Sequence, residues 1–424
     1  MPSFREIAEK MDRLVPPRSV RDFASLHRWP TESGQPPDEV SYGDLLARHG
    51  RSASELRVLF LNTFLLSGAA IKAKCRVAER TFARVEDKPA RKARARELGT
   101  ALASESYDLI ALCEVFESGD RDRILRGWEV EPDFAEGPSA DTLPPTPAVP
   151  SPIPCPSTFF GGPQTAKIKL GERANSGLLT MSVGQPILDT SLHTYRSRGE
   201  PLKDIDFWAS KGVLRIVVDL GVGKVEIFST HLHSGGDLPP PFPSPSKSEK
   251  EAVRRAQIEE LCFFIDSFRD DRPSDMIGLV VGDFNRPGPP DVDSGEADLY
   301  EELSGKMAEV DMEDLWMARA RDGDGGIAPG PTKVDVKAGS LGLEGVCRPV
   351  SDSGGVCDDR ILPADDQNRI DYVFVEKQKP EHGFGLDVTR PLRMSFPRDE
   401  ATENIDQLSD HLGLAFTLVA SPLM

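Results

Sequence analysis

The sequence predicts an α/β domain in which helices cover the faces of β-sheets. Two observations predict it. Short apolar runs of strand length recur from Leu56 to Val419, each bounded by polar or turn-forming residues. Segments of helical pattern or composition lie between them, and strands interleaved with helices bury their apolar faces by stacking into layers. A third observation concerns chemistry: six of the runs meet an ionisable or amide side chain at one end.

Residues 1–50 are polar with short apolar stretches, and a helical N-terminal extension is expected there, ahead of a domain spanning 51–424. The first strand is Leu56–Leu61, LRVLFL. Residues 72–103 read as helix, and Tyr107–Cys113, YDLIALC, as a second buried strand. Residues 136–166 contain EGPSADTLPPTPAVPSPIPCPS. Proline at that density removes N–H donors and fixes φ, so a loop or disordered insertion is expected, not a helix or central strand. Strands follow at Ser176–Ser182, Gly212–Asp219 and Lys224–Ser229, then a second proline cluster, LPPPFPSPS, at 238–246. Lys247–Phe268 is an amphipathic helix with apolar residues at 258, 261, 262 and 265. Ile277–Val281 is a strand. Residues 286–368, rich in Gly, Asp and Pro, read as a long irregular insertion with one helix near Ala297–Met317. Arg369–Val375 and Leu412–Val419 are the last two strands.

The formal net charge is -18. A protein that grips a nucleic-acid backbone usually carries a basic stripe, so this balance argues modestly against a nuclease. Phosphate in a substrate would need a cation between it and the acidic groups. No apolar stretch approaches the roughly 18 residues of a membrane span. The opening MPSFREIAEKMDRLVPP has acidic residues and no apolar core of a signal peptide, which makes the cytoplasm the expected location. Cys113 and Cys262 lie in apolar runs and read as buried thiols. Cys347 and Cys357 share a Gly-rich loop, and no export signal supports a bridge between them. The oligomeric state is not legible.

The polar ends of the strands form a set. LRVLFL ends in Asn62, YDLIALC in Glu114, VEIFST in His231, and IGLVVG in Asp283, two residues before Asn285. Asp371 stands at the start of RIDYVFV, and Asp410–His411 precede LGLAFTLV. If the last two strands run antiparallel to the first four, all eight residues converge on one rim. Hard oxygen ligands suit Mg²⁺ or Mn²⁺. Imidazoles suit acid–base work near neutral pH. Taken singly, each residue also reads as a turn, a cap or a structural histidine; the reading rests on the joint pattern.

With these residues in view, the sequence resembles the endonuclease/exonuclease/phosphatase (DNase I-like) superfamily. The resemblance lies in LFLNTF, DLIALCEVFE, FSTHLHSGG, VVGDFNRP, RIDYVFV and LSDHLGLAFTL, which occur in that order across residues 56–420. It implies a four-layer α/β sandwich with two central mixed sheets and a site at one rim. It implies that Glu114 binds Mg²⁺ helped by Asn62, with Asp410 near the metal. Asp371 would orient His411, and His411 would activate the attacking water. Asp283 would position that water or assist a metal, Asn285 would bond the scissile phosphate, and His231 would stabilise or protonate the leaving oxygen.

Three segments are similar to the neutral sphingomyelinase branch: NSGLLTMS at 175–182, DFWASKGVL at 206–214 and THLH at 230–233. There Asp206 and Lys211 would shape the substrate site, although Lys211 by itself reads equally as a surface lysine in a strand-leading turn. The expectation is a Mg²⁺-dependent phosphodiesterase acting on a phospholipid head group or similar diester. The alternatives are a nuclease, an inositol-phosphate-type phosphomonoesterase with Arg286 as its extra cation, and a non-catalytic binding protein of the same fold. Phe242 is one exposed aromatic candidate for lipid contact.

Overall fold

The structure, a computed structural model, describes residues 55–65, 88–127, 157–160, 176–236, 243–321, Thr332 and 369–422, with short gaps inside the longer ranges. The expected extension at 1–50, the segment 136–156, Phe242, Asp410 and the Cys347/Cys357 pair lie outside the described residues.

Strand β1 (Glu55–Asn62) is followed by helix α1 (Lys88–Ser104), β2 (Leu109–Cys113) and α2 (Ser118–Arg126). β3 (Ser157–Phe160), β4 (Leu179–Ser182) and β5 (Ile187–Thr194) lead to β6 (Gly212–Asp219) and β7 (Lys224–His231). Next come α3 (Lys247–Asp266), β8 (Met276–Gly288), α4 (Ala297–Glu309), β9 (Met312–Asp314) and α5 (Leu315–Arg321). Beyond Thr332 are β10 (Arg369–Glu376), β11 (Phe384–Val388), β12 (Leu392–Met394), a hairpin of β13 (Pro397–Thr402) and β14 (Ile405–Gln407), and β15 (Gly413–Pro422).

Among the described residues there are two large sheets. One has seven strands in the order β11-β15-β1-β2-β4-β3, with β12 also on β15; the other has six, β5-β6-β7-β8-β10-β9. Both are mixed: β1 runs parallel to β2, and β7 to β8, while the other pairings are antiparallel. β15 opposes β1 and β10 opposes β8. The antiparallel condition for convergence on one rim is therefore met.

Strand parity builds the layers. In β1, Val58 and Phe60 face a core shared with Ile227, Leu279 and Val373 of the other sheet, while Leu59 and Leu61 face the helical side with Leu98 of α1 and Ile124 of α2. In β10, Val373 and Val375 face the shared core, and Tyr372 and Phe374 pack beneath α3 and α4 with Leu261 and Leu303. Strands buried on both faces need apolar residues at every position, which is why they read as unbroken apolar runs. The order helix, sheet, sheet, helix is the expected four-layer sandwich.

Several boundaries differ from expectation. β8 continues through Arg286 to Gly288, so the irregular insertion starts later. The helix expected near Ala297–Met317 is two helices. Asp311 takes φ +54, β9 adds an edge to β10, and Asp314 Oδ1 then accepts the Trp316 and Met317 N–H groups at the start of α5. Ser157–Phe160, a stretch without proline inside the 136–166 segment, pairs as an edge strand on β4 just after Pro156. Ser246, last of the second proline cluster, caps α3 in a reciprocal capping box with Glu249.

Candidate active site

Four of the eight residues expected at the rim follow directly from parity. Asn62, His231, Asp283 and Asp371 each continue the row of shared-core residues on their strand. Register then aligns three of them: His231 pairs with Asp283, and Asp371 pairs with Asp283, so they form one row across β7, β8 and β10. Asn62 approaches from the opposite sheet and donates from Nδ2 to Asp283 Oδ2 at 2.9 Å.

Glu114 arrives differently. Cys113 faces the shared core, so alternation would turn the next side chain outward. Glu114 instead takes φ +63, a left-handed conformation uncommon for a residue with a Cβ. Its neighbours hold it there: Thr63 N donates to Cys113 O at 3.0 Å and Val115 N to Gly177 O at 2.9 Å. Glu114 Oε1 consequently lies 3.8 Å from His231 Nε2 of the other sheet.

His411 Nδ1 lies 2.9 Å from Asp371 Oδ2, a buried hydrogen bond that joins the two sheets. A carboxylate can only accept, so Nδ1 carries the proton and Nε2 is left with its lone pair. That Nε2 is 4.0 Å from Asp283 Oδ2. Ser409 Oγ accepts the His411 N–H at 3.1 Å and donates to Asn62 O. Asn285, at φ +49, donates its backbone N–H to Asp283 Oδ1 at 2.8 Å and its side-chain amide to Leu232 O at 3.2 Å.

Lys211 is not a surface lysine. It is 4% exposed, and Nζ donates to Leu232 O at 2.8 Å and His231 Nε2 at 3.0 Å, with Asp206 Oδ2 at 3.3 Å. An ammonium can only donate, so His231 Nε2 accepts and its ring proton sits on Nδ1. Asp206 Oδ2 also takes the Ser234 N–H and hydroxyl and the Gly235 N–H. Burial pushes the Asp206 carboxyl up, but Lys211, His233 and the Ser234 bond outweigh it and hold it well below the usual carboxylate range.

Two groups could hold a cation among the described residues: Asp283, Asp371 and His411, and Asp204, Asp206 and His233. They differ in what is left over. In the second, Asp206 is occupied as above, and Asp204 takes His233 Nε2 and the Asp206 N–H. Both oxygens of Asp204 and Oδ2 of Asp206 thus brace the loop after β7, and His233 Nδ1 is left buried without a hydrogen-bond partner. In the first, burial and then the Asp371 charge push the Asp283 carboxyl up to about 6, against His411, Lys211 and the Asn62 bond. Glu114, which shares His231 Nε2 as a neighbour with Asp283, has its Oε2 buried with no hydrogen-bond partner. A buried, unpartnered carboxylate oxygen beside a strained acid is the donor set a divalent cation would complete.

The sequence reading missed several residues. Arg94, fully buried on α1, donates to Thr63 O, Phe64 O and Leu408 O at 2.7–2.8 Å, joining the loops after β1 and before His411. Its i, i+3 neighbour Arg91 pairs with Glu117 and Asp120 just beyond Glu114. Thr332, Ser409, Asp204 and His233 were also missed; of these only the THLH spacing carried a signal. Arg286 is turned away from the rim, fully buried and paired with Glu251, Glu302 and Leu299 O, so it offers no extra cation for a phosphomonoester. Asp410 lies outside the described residues.

No family model matches the chain, and no curated protein matches it. Among solved structures it is similar to a beta toxin from Staphylococcus aureus, with 15% identity over 85% of this chain and 99% of that one and a TM-score of 0.47. It is similar to sphingomyelinase C from Streptomyces griseocarneus at 19% identity, covering 86% of this chain and 99% of that one, with a TM-score of 0.45. TDP2 from Caenorhabditis elegans gives 12% identity, 87% and 75% coverage, and a TM-score of 0.48. At these identities and scores, the likeness assigns no activity.

Proposed function

We propose that the chain is a Mg²⁺-dependent phosphodiesterase that cleaves a phosphate ester by attack of water. The observation that carries this reading is the Asp371–His411 hydrogen bond, 2.9 Å long, directed at a rim that also holds Asp283, Glu114, His231 and Lys211. With Nδ1 committed to Asp371, His411 takes a proton from water at Nε2, and Asp371 stabilises the imidazolium formed. Asp283 orients that water. Asn285 and Lys211, which share Leu232 O as a partner, bind the phosphate oxygens once they release it. His231 stabilises the leaving oxygen through the Lys211 ammonium that its Nε2 holds at the rim.

Glu114 would hold the ion, with Asp283 beside it and Asn62 bracing Asp283; Asp410 belongs to the same set by sequence resemblance. Bound Mg²⁺ (or Mn²⁺) supplies neutralisation of the non-bridging oxygens that otherwise repel a nucleophile.

The substrate we propose is a phospholipid head group of sphingomyelin type, on the strength of NSGLLTMS, DFWASKGVL and THLH and of the buried Asp206–Lys211 pair. Among the described residues, no helix is long and apolar enough to cross a membrane. The test is a panel assayed with Mg²⁺ and with EDTA: sphingomyelin, phosphatidylcholine, plasmid DNA, RNA, inositol phosphates and bis-p-nitrophenyl phosphate. Phosphocholine release that EDTA abolishes is the expected result, with DNA nicking in the absence of lipid hydrolysis as the outcome that overturns the substrate. His411→Ala should abolish hydrolysis with the fold retained, and full activity in that variant would remove the base assignment.

A further inference from the structure

We propose that Thr332 is a positioning residue for the Asp371–His411 pair, fixing the backbones of both partners; this rests on reading that pair as the base that activates water. The ladder between β10 and β8 shifts register between Arg369 and Asp371. A bulge of that kind deprives backbone N–H groups of their strand partners, and such groups inside a protein must find another acceptor. Thr332 Oγ1 accepts two of them, from Ile370 and Asp371, each at 3.1 Å. Its carbonyl accepts the N–H of Leu412, next to His411, at 2.7 Å. One fully buried residue thus ties the strand that carries Asp371 to the segment that carries His411.

The carboxylate of Asp371 has little else to aim it. Oδ2 bonds His411, and Oδ1 is buried with no hydrogen-bond partner. The direction of the pair therefore depends on where the backbone at 371 is held, and the hydroxyl of Thr332 holds it. Thr332 belongs to the stretch 286–368 that reads as an irregular insertion, so this insertion reaches the base itself.

The test compares Thr332→Val, which keeps shape and removes the acceptor, with Thr332→Ser, which keeps the acceptor, in the full chain with Mg²⁺ and bis-p-nitrophenyl phosphate. In Thr332→Val, kcat should fall on the order of 10- to 100-fold, the loss expected when a reacting group is displaced by about 1 Å. KM and the Mg²⁺ concentration for half-activity should not move, and Thr332→Ser should recover most of the rate. A second readout needs no turnover: the Nδ1 proton resonance of His411, identified by its loss in His411→Ala. It should be sharp in the parent and in Thr332→Ser and broadened by solvent exchange in Thr332→Val. Should Thr332→Val fail to fold, Thr332→Cys, which offers only a weak acceptor, is read the same way. A folded Thr332→Val with the parent kcat and a sharp resonance overturns the proposal. If His411→Ala keeps its activity, the reading of the base fails instead, and the resonance alone still decides whether Thr332 positions the pair.

Discussion

Asp283 is where the charges of the two sheets meet. Its carboxylate accepts from Asn62 on one side, faces His231 and His411 at 3.7 and 4.0 Å, and stands beside Asp371 in the same row. Burial first and Asp371 second push it up to about 6, above the value of an unfolded chain. A raised carboxyl contributes stability while it is protonated, below about pH 4, and that contribution is lost as pH rises through about 6. A divalent cation at the rim has the opposite preference, since it needs the ionised form. Thermal unfolding should therefore show a larger Mg²⁺-induced rise in Tm near about pH 7.5 than near about pH 5, and Asp283→Asn should remove most of that difference. An equal rise at both pH values would show that Asp283 takes no part. At this scale the sequence was legible wherever alternation continued to the strand end, as at Asn62, His231, Asp283 and Asp371. Glu114 was recognised by its place in a series, but no pattern foretold the left-handed backbone that turns it inward. Thr332 was illegible, because a lone Thr in a Gly- and Pro-rich stretch has no period to mark it.

Helix α1 organises the loops that carry the site, and it does so with charges. Arg91 and Arg94, three apart on one face, are at most 1% exposed, although arginines in a basic helix read as a solvated face. Arg94 spreads its guanidinium over three carbonyls from two loops, a use its planar fork allows and a lysine ammonium does not match. Arg94→Met should lower stability by about 3 kcal/mol, from lost charged hydrogen bonds and carbonyls left without donors, as measured by the denaturant midpoint. Arg94→Lys should recover only part of this. A loss within experimental scatter in Arg94→Met would mean that the two loops are held by other contacts. The edges of the sheets were illegible for a related reason. β5 is half exposed, and β9 is only three residues long, so neither shows the unbroken apolar run of a central strand. Their pairing is decided by β6 and β10, which offer an edge, and not by their own composition.

In the whole molecule, the candidate site is a seam between sheets. The seven-stranded sheet brings Asn62, Glu114 and His411; the six-stranded sheet brings Lys211, His231, Asp283, Asn285 and Asp371. The bonds Asn62–Asp283 and His411–Asp371 cross that seam, and the shared core lies directly beneath it. The outer cores under the helices support the same sheets from behind. Packing defects of equal size should therefore differ in what they do to function. Leu414→Ala opens a cavity in the shared core, three residues after His411 and opposite Phe60; Leu261→Ala opens one beneath α3 in an outer core. Each should cost about 2–5 kcal/mol, because a close-packed interior relaxes only partly around a lost side chain. Of the two, only Leu414→Ala is expected to change the spacing of the sheets at the rim. At a temperature where both variants are folded, Leu414→Ala should lose kcat on the proposed diester and require more Mg²⁺, and Leu261→Ala should keep both. Matched losses of stability with matched kinetics would mean that the distance between the sheets does not set the geometry of the rim.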